Sequence, residues 1–197
     1  MERMLEMTKI TSDEDQQENI INADDKVSPV IWLRRIIVYT FGLFILALGV
    51  AFSIQSKLGV SPVSSFPYAL SIVTAKDVGL MTTIVFSTYV LIQVLILRRQ
   101  FPLKHLFQVL IASLFGYFVS LSMTIVGSLN PISYPARLSF LGISLVLIAV
   151  GIIFYLAAEL IPMPAEGLIL SVSKVASIPF GKGKIIFDVT SVSLTAL

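Results

Sequence analysis

The amino-acid sequence predicts an all-α integral membrane protein: a helical bundle of about five full spans plus two short re-entrant or broken helices, arranged as an inverted internal repeat. Three observations carry this prediction. Of 197 residues, 56% are hydrophobic and only 13% charged, against about 45–50% and about 25% in a soluble domain. So little charge cannot cover a water-facing surface. The apolar residues also run in unbroken blocks, and a hydrocarbon core takes roughly 20 residues of helix. Finally, two short proline-started segments recur at one fixed spacing.

Residues 1–30 come first and differ from everything after them. They hold eight of the twelve acidic residues and three of the fourteen basic ones, a net −5 beside +7 for the remainder. With few aromatics and few β-branched runs they bury too little surface to order. They read as a disordered acidic tail, and lacking an apolar h-region they are not expected to act as a secretory signal.

The first span is expected at residues 36–56, where some 19 residues carry no charge. Trp32, Arg34 and Arg35 precede it as interfacial aromatic and basic anchors. Then comes a segment punctuated by Pro62 and Pro67. Ser61 followed by Pro62 is a helix start: a serine N-cap, then proline where a missing N–H costs nothing. The helix can run only over residues 62–74, about 20 Å at 1.5 Å per residue, too short to cross lipid. Further spans are expected at residues 80–97, 103–129 and 138–158, with Asn130, Pro131 and Pro135 forming a turn. A second short segment follows, started by Pro164. The last apolar stretch, residues 185–197, begins and stops, which reads as truncated.

Shifting the sequence by 102 residues against itself pairs Arg35 with Arg137, Gly49 with Gly151, Pro62 with Pro164 and Ser71 with Ser173, with twelve identities over residues 35–95. Both short segments fall on each other. The first repeat then covers residues 31–129 and the second 130–197, and repeats of this kind mark transporter folds. The bases set the topology. Arg34, Arg35, Arg98, Arg99 and Lys104 belong on the cytoplasmic side, which requires two full spans between the groups and a re-entrant segment at 62–74. Lys174, Lys182 and Lys184 then also lie inside, and the halves come out inverted. Arg137 is the exception. The protein is expected in the cell membrane, multi-pass, with its N-terminus cytoplasmic and the lipid bilayer as its surroundings.

The stretch GVSPVSSFPYALS, followed by VGLMTTIVFSTYVLIQ, resembles the YczE/YitT-type family of bacterial membrane proteins. The resemblance covers residues 31–197, and its most specific part is GxSPxxxxPxxLS. It implies a multi-pass inner or plasma membrane protein with no established substrate, and relatives that continue past the equivalent of Leu197. The acidic tail is not part of it.

Half-helix N-termini in broken-helix transporters point at the substrate. Pro62 and Pro164 mark two such ends. Ser61, Ser64, Ser65, Tyr68 and Ser71 recur along one face of the first half-helix. On the second, Glu166, Gly167, Ser171, Ser173 and Lys174 are more scattered. Ser61, Ser64, Ser65, Tyr68, Ser71, Glu166, Ser171 and Lys174 are therefore the candidate substrate-binding residues. The competing reading makes the serines helix-packing residues only. Asp188, an ionisable residue in an apolar segment, and Glu166 are the candidates for ion or proton coupling. Against that, Asp188 can pair with Lys184 four residues before it, and Glu166 can cap its helix. Gly42, Gly49 and Gly151 are expected at close helix contacts, and His105 at the interface.

Other chemistries lack their residues. There is no cysteine and one histidine, so no metal site or cofactor is expected. GKGK at 181–184 lacks the phosphate-loop frame, no Ser-His-Asp set can be built, and no basic patch interleaved with aromatics exists for nucleic acid. The expected function is a secondary-transporter-like permease for a small molecule or ion, not an enzyme. The alternative is a non-transporting scaffold or sensor subunit, and an oligomer is compatible with either.

Overall fold

The computed structural model of the protein describes residues 29–98 and 101–195. The acidic tail up to residue 28 and Arg99 lie outside them. Contacts group the chain into two units, residues 1–37 and 38–197. Among the described residues the first unit is the opening stretch of one helix, and the second holds the rest of that helix and every other element.

Among the described residues seven α-helices follow in order: α1 Pro29–Ser56, α2 Pro62–Thr74, α3 Val78–Leu97, α4 Phe107–Gly127, α5 Tyr134–Ala157, α6 Pro164–Ala176 and α7 Phe180–Thr195. No strand occurs among the described residues. In lipid every backbone polar group must be satisfied within its own segment, and a helix does that. Four stretches are long and apolar enough to cross a membrane: Val30–Ser56, Val78–Leu97, Leu103–Gly127 and Tyr134–Ala157. The expected fifth span is not among them, since α7 has 16 residues.

The helix starts differ from expectation for local reasons. Asp77 accepts the Leu80 N–H at 2.9 Å and starts α3 two residues early. Ser133 caps α5 through the Ala136 N–H, and Pro135 sits in its first turn instead of in the preceding loop. Residues 103–106 form a 3₁₀ turn ahead of α4. The Pro179 carbonyl accepts the N–H groups of Lys182 and Gly183, so the GKGK run opens α7 as helix.

Small residues set the crossings. A Cβ built on Gly49 would lie 2.9 Å from the Ile148 nitrogen, and one on Gly151 would lie 2.6 Å from the Leu46 nitrogen. One on Gly42 would meet the Tyr155 nitrogen at 2.6 Å. Contacts at 42–155, 46–151 and 49–148 mean that α1 and α5 run antiparallel. Gly79 and Gly116 do the same for α3 and α4, each taking the other's carbonyl where a side chain would stand. The core lies along α1, where Leu43, Ala47 and Ala51 are wholly buried, and continues through Phe86, Phe115, Val119 and Tyr155. α5 instead leaves most of its surface open, which suits a lipid-facing helix.

The two short helices match in length, start and closure. α2 and α6 have 13 residues each, beginning at Pro62 and Pro164, 102 apart. Left-handed residues close them, Ala75 at φ 52°, ψ 36° and Ser177 at φ 53°, ψ 38°. Lys57 and Glu159, again 102 apart, are left-handed as well. α2 packs on α3 and α7, and α6 packs on α7 and α3.

Candidate functional site

Two half-helix beginnings define the site. Ser61 is the N-cap of α2 and Pro62 its first residue. The Ser61 hydroxyl does not cap an N–H. It turns instead to Ser64 Oγ at 3.3 Å. Met163 holds the N-cap place on α6, ahead of Pro164, with Glu166 in the first turn. The Glu166 carboxylate lies close to the Met163 backbone, the side from which a capping box is made. The first-turn N–H groups of both helices lack intrahelical acceptors, and each end carries about half a positive charge.

Both ends open on one cavity of about 220 Å³. A water needs roughly 10–15 Å³, so the space suits a small solute. α2 contributes Ser61, Pro62, Val63 and Ser64, and α6 with its N-cap contributes Met163, Ala165, Glu166 and Ile169. Apolar side chains from α1, α3, α4 and α5 make up most of the remaining wall, Leu46, Val50, Phe86, Phe115, Ile148 and Ile152 among them.

Two polar groups on that wall came with no sequence signal strong enough to single them out. Tyr155, on α5, is 2% exposed, and its hydroxyl has no hydrogen-bond partner among the described residues. It lies beside the Glu166 carboxylate, outside hydrogen-bond geometry. Its ring meets Tyr39 edge-on at 6.0 Å, and the Tyr39 hydroxyl donates to the Ile161 carbonyl at 2.9 Å, tying α1 to the loop before α6. The second group is Lys184 on α7. Lys184 is one of the lining residues, and its ammonium sits within electrostatic reach of Glu166 and binds both oxygens of Asp188 at 2.6 and 2.8 Å.

Beneath the α6 end lies a pair of amides. Gln93 of α3 and Gln108 of α4 are wholly buried. Gln93 Nε2 donates to the Pro164 carbonyl at 3.1 Å. Gln93 Oε1 and both polar atoms of Gln108 have no partner among the described residues. They crowd Gly167, where a Cβ would stand 2.6 Å from Gln108 Nε2 and 2.7 Å from Gln93 Oε1. A polar residue inside a long apolar run (VLIQVLIL and FQVLIAS) was the available signal.

Of the residues expected to bind substrate, Ser61, Ser64 and Glu166 come together at the cavity. Ser65 instead donates to the Pro62 carbonyl at 2.7 Å and receives Thr195 Oγ1 at 3.2 Å. Ser71 donates to Tyr68 O and Ser171 to Gly167 O, each at 2.7 Å, the packing role weighed for them. Tyr68 packs against the core, and Lys174 is exposed. Asp188 is not on the cavity wall and touches the site through Lys184.

The uncharacterised protein YyaS of Bacillus subtilis (strain 168) is 33% identical to the chain over 138 residues, which is 67% of this chain and 65% of YyaS. The chain thus spans about 65% of the length of this curated relative. No solved structure matches the chain. Neither relative nor family model carries the YczE/YitT name. What they share with that resemblance is an uncharacterised family. A model for a family of unknown function, DUF6198, matches residues 33–197, and the chain belongs to that family.

Proposed function

We propose that the protein is a small secondary-transporter-like permease of the cell membrane, in which two inverted repeats meet at the cavity between the N-termini of α2 and α6. The observation that carries this reading is that both half-helix beginnings, 102 residues apart, line one space. Reciprocal contacts support the repeat. The 49–148 contact is matched by 151–46, and the 65–195 contact by 167–93. Each partner shifts by 102, one up and one down. That reciprocity is what a two-fold relation produces. Since it exchanges the antiparallel helices α1 and α5, its axis lies across them, in the plane of the membrane, which is the inverted arrangement of many transporters.

On this reading the N-terminus is cytoplasmic, the loop at Lys76 is outside and the loop at Lys182 inside. The cavity takes a small solute and passes it on by alternating access, with no chemical change to it. Glu166, and Asp188 through Lys184, are the groups for ion or proton coupling.

The chain has no cysteine, so single-cysteine variants test this directly. In intact cells Lys76→Cys should react with an impermeant maleimide, and Lys182→Cys only after the membrane is opened. Ser64→Cys should react with a small water-soluble thiol reagent, while Leu91→Cys, 63% exposed on α3, should stay unlabelled in lipid. Reaction of both loops from one side, or an inert Ser64→Cys, defeats the proposal.

A further inference from the structure

The solute cavity also has a chemical polarity, and the ligand class read from that polarity rests on the permease proposal. At matched places in α2 and α6, 102 residues apart, stand Ser64 and Glu166. The backbone repeats but the chemistry does not. The α2 end offers the hydroxyls of Ser61 and Ser64, which can donate or accept, and the Val63 N–H, which has no intrahelical acceptor. That end also carries about half a positive charge. The α6 end presents a carboxylate. Glu166 forms no ion pair among the described residues, because Lys184, the cation in its reach, is held by Asp188.

Beside Glu166 stands the Tyr155 hydroxyl, 2% exposed and outside hydrogen-bond geometry with any described residue. A buried phenol normally finds a partner. Its nearest polar neighbour is the Glu166 carboxylate, so phenol and carboxylate stand together at the α6 end. Apart from Lys184, whose ammonium is held by Asp188, the rest of the wall is mainly aliphatic and aromatic: Leu46, Val50, Phe86, Phe115, Ile148 and Ile152. A simple anion would meet the α2 end but bring like charge to Glu166. A simple amine would satisfy Glu166 but leave the Val63 N–H without an acceptor and bring positive charge to the α2 N-terminus. Either leaves polar groups unpaired out of water, which is costly.

We infer that the cavity binds a small zwitterion with an apolar side chain, an α-amino acid of the leucine or valine type, its carboxylate at the α2 N-terminus and its ammonium at Glu166. The apolar body lies against the wall formed by α1, α3, α4 and α5. At about 220 Å³ the cavity falls below the roughly 300–1,000 Å³ of drug-sized sites, which fits a solute of this size.

The test is equilibrium binding to the full chain in lipid nanodiscs, with three probes of one carbon skeleton: L-leucine, 4-methylpentanoate, which lacks the amine, and 3-methylbutylamine, which lacks the carboxylate. Leucine should bind at least tenfold more tightly than either. Glu166→Gln should weaken leucine at least tenfold and leave 4-methylpentanoate equal or tighter. Tyr155→Phe, which keeps the ring and the packing, should weaken leucine severalfold. Equal binding of leucine and either analogue, no leucine binding at millimolar concentration, or leucine binding unmoved by Glu166→Gln in a folded variant overturns the inference. Proteoliposome flux separates this from the broader reading. If leucine fails to bind while another solute is carried by the native chain and lost in Ser64→Trp, the zwitterion assignment falls and the permease stands. If leucine binds with the stated pattern and no solute is carried, the site stands and the permease falls.

Discussion

Replacing Gly151 by alanine asks whether the α1–α5 crossing is as close as it looks. The added Cβ would lie 2.6 Å from the Leu46 nitrogen and 2.8 Å from its Cα, where carbon atoms normally keep about 3.5–4.0 Å. Neither atom belongs to a side chain that can swing away, so the helices must part by about 1 Å. Overpacking of this kind costs about 1–3 kcal/mol, and alanine returns about 1 kcal/mol of helix propensity over glycine. The contacts that flank the crossing also weaken, since a gap of 0.5–1 Å forfeits about a quarter to a half of each. The expected net loss is about 1–2 kcal/mol. Gly142 supplies the control within the same helix: a Cβ there meets nothing within 4 Å. Gly142→Ala should therefore gain up to about 1 kcal/mol, giving a gap of about 2–3 kcal/mol between two chemically identical substitutions. Gly49→Ala faces the Ile148 nitrogen at 2.9 Å and should cost about as much as Gly151→Ala. The double variant should cost clearly less than the sum, because one widening of the pair relieves both clashes. Reversible unfolding in mixed detergent–dodecylsulfate micelles reads all four. Equal shifts for Gly142→Ala and Gly151→Ala, or strict additivity of Gly49→Ala and Gly151→Ala, would refute the crossing.

Two further tests address the polar groups under and beside the cavity. Gln108→Met removes a wholly buried amide whose two polar atoms have no partner among the described residues. An unsatisfied buried amide costs about 1–3 kcal/mol, so the variant should unfold at a higher temperature in micelles, and a marked fall would mean that the native amide is bonded by water or solute. Asp188→Asn breaks a pair whose side chains are 38% and 28% exposed. Partial exposure screens it, so stability should change by less than about 1 kcal/mol, yet freeing Lys184 toward Glu166 should abolish solute flux in proteoliposomes. Unchanged flux would remove Asp188 from the coupling role.

The two half-helices were legible because proline is. Pro62 and Pro164 state where a helix begins, and the left-handed residues at 75 and 177 end each after 13 residues. The long spans were legible from unbroken apolar length. Glycine spacing pointed to close helix contacts but not to which helix each glycine meets, because that depends on pairing. The misreadings were at polar edges. Pro135 and the GKGK run look like loop, but each lies in the opening of a helix, whose first N–H groups need no intrahelical acceptor. At the site, Ser61, Ser64 and Glu166 were found from position alone. Tyr155 and Lys184 were not, since one looked like another apolar span residue and the other like a solvated charge. Both acquire meaning from the packing of α5 and α7, which no local pattern encodes.

The proposed repeat also bears on which residues were hard to see. Under the 102-residue shift, identities fall on the frame: Gly49 with Gly151 at the crossing, Pro62 with Pro164 at the half-helix starts, Leu58 with Leu160 in the turns before them. The cavity's chemistry sits where the copies disagree. Glu166 stands opposite Ser64, Tyr155 opposite Ser53, Lys184 opposite Thr82, and Asp188 opposite Phe86. Ser53 and Thr82 donate within their own surroundings, to Gly59 O and Val78 O, and Phe86 stacks on Phe115 at 5.8 Å. Of these first-half positions only Ser64 brings a polar group to the cavity, while the second half carries three ionisable side chains and a phenol at the matching positions. A two-fold backbone with matching side chains would present the same end twice, and a solute with one charged group would meet it equally well in either direction. On the proposed reading, divergence at these four positions is what makes the two ends of the cavity chemically different, and it predicts a preferred orientation for a solute that enters.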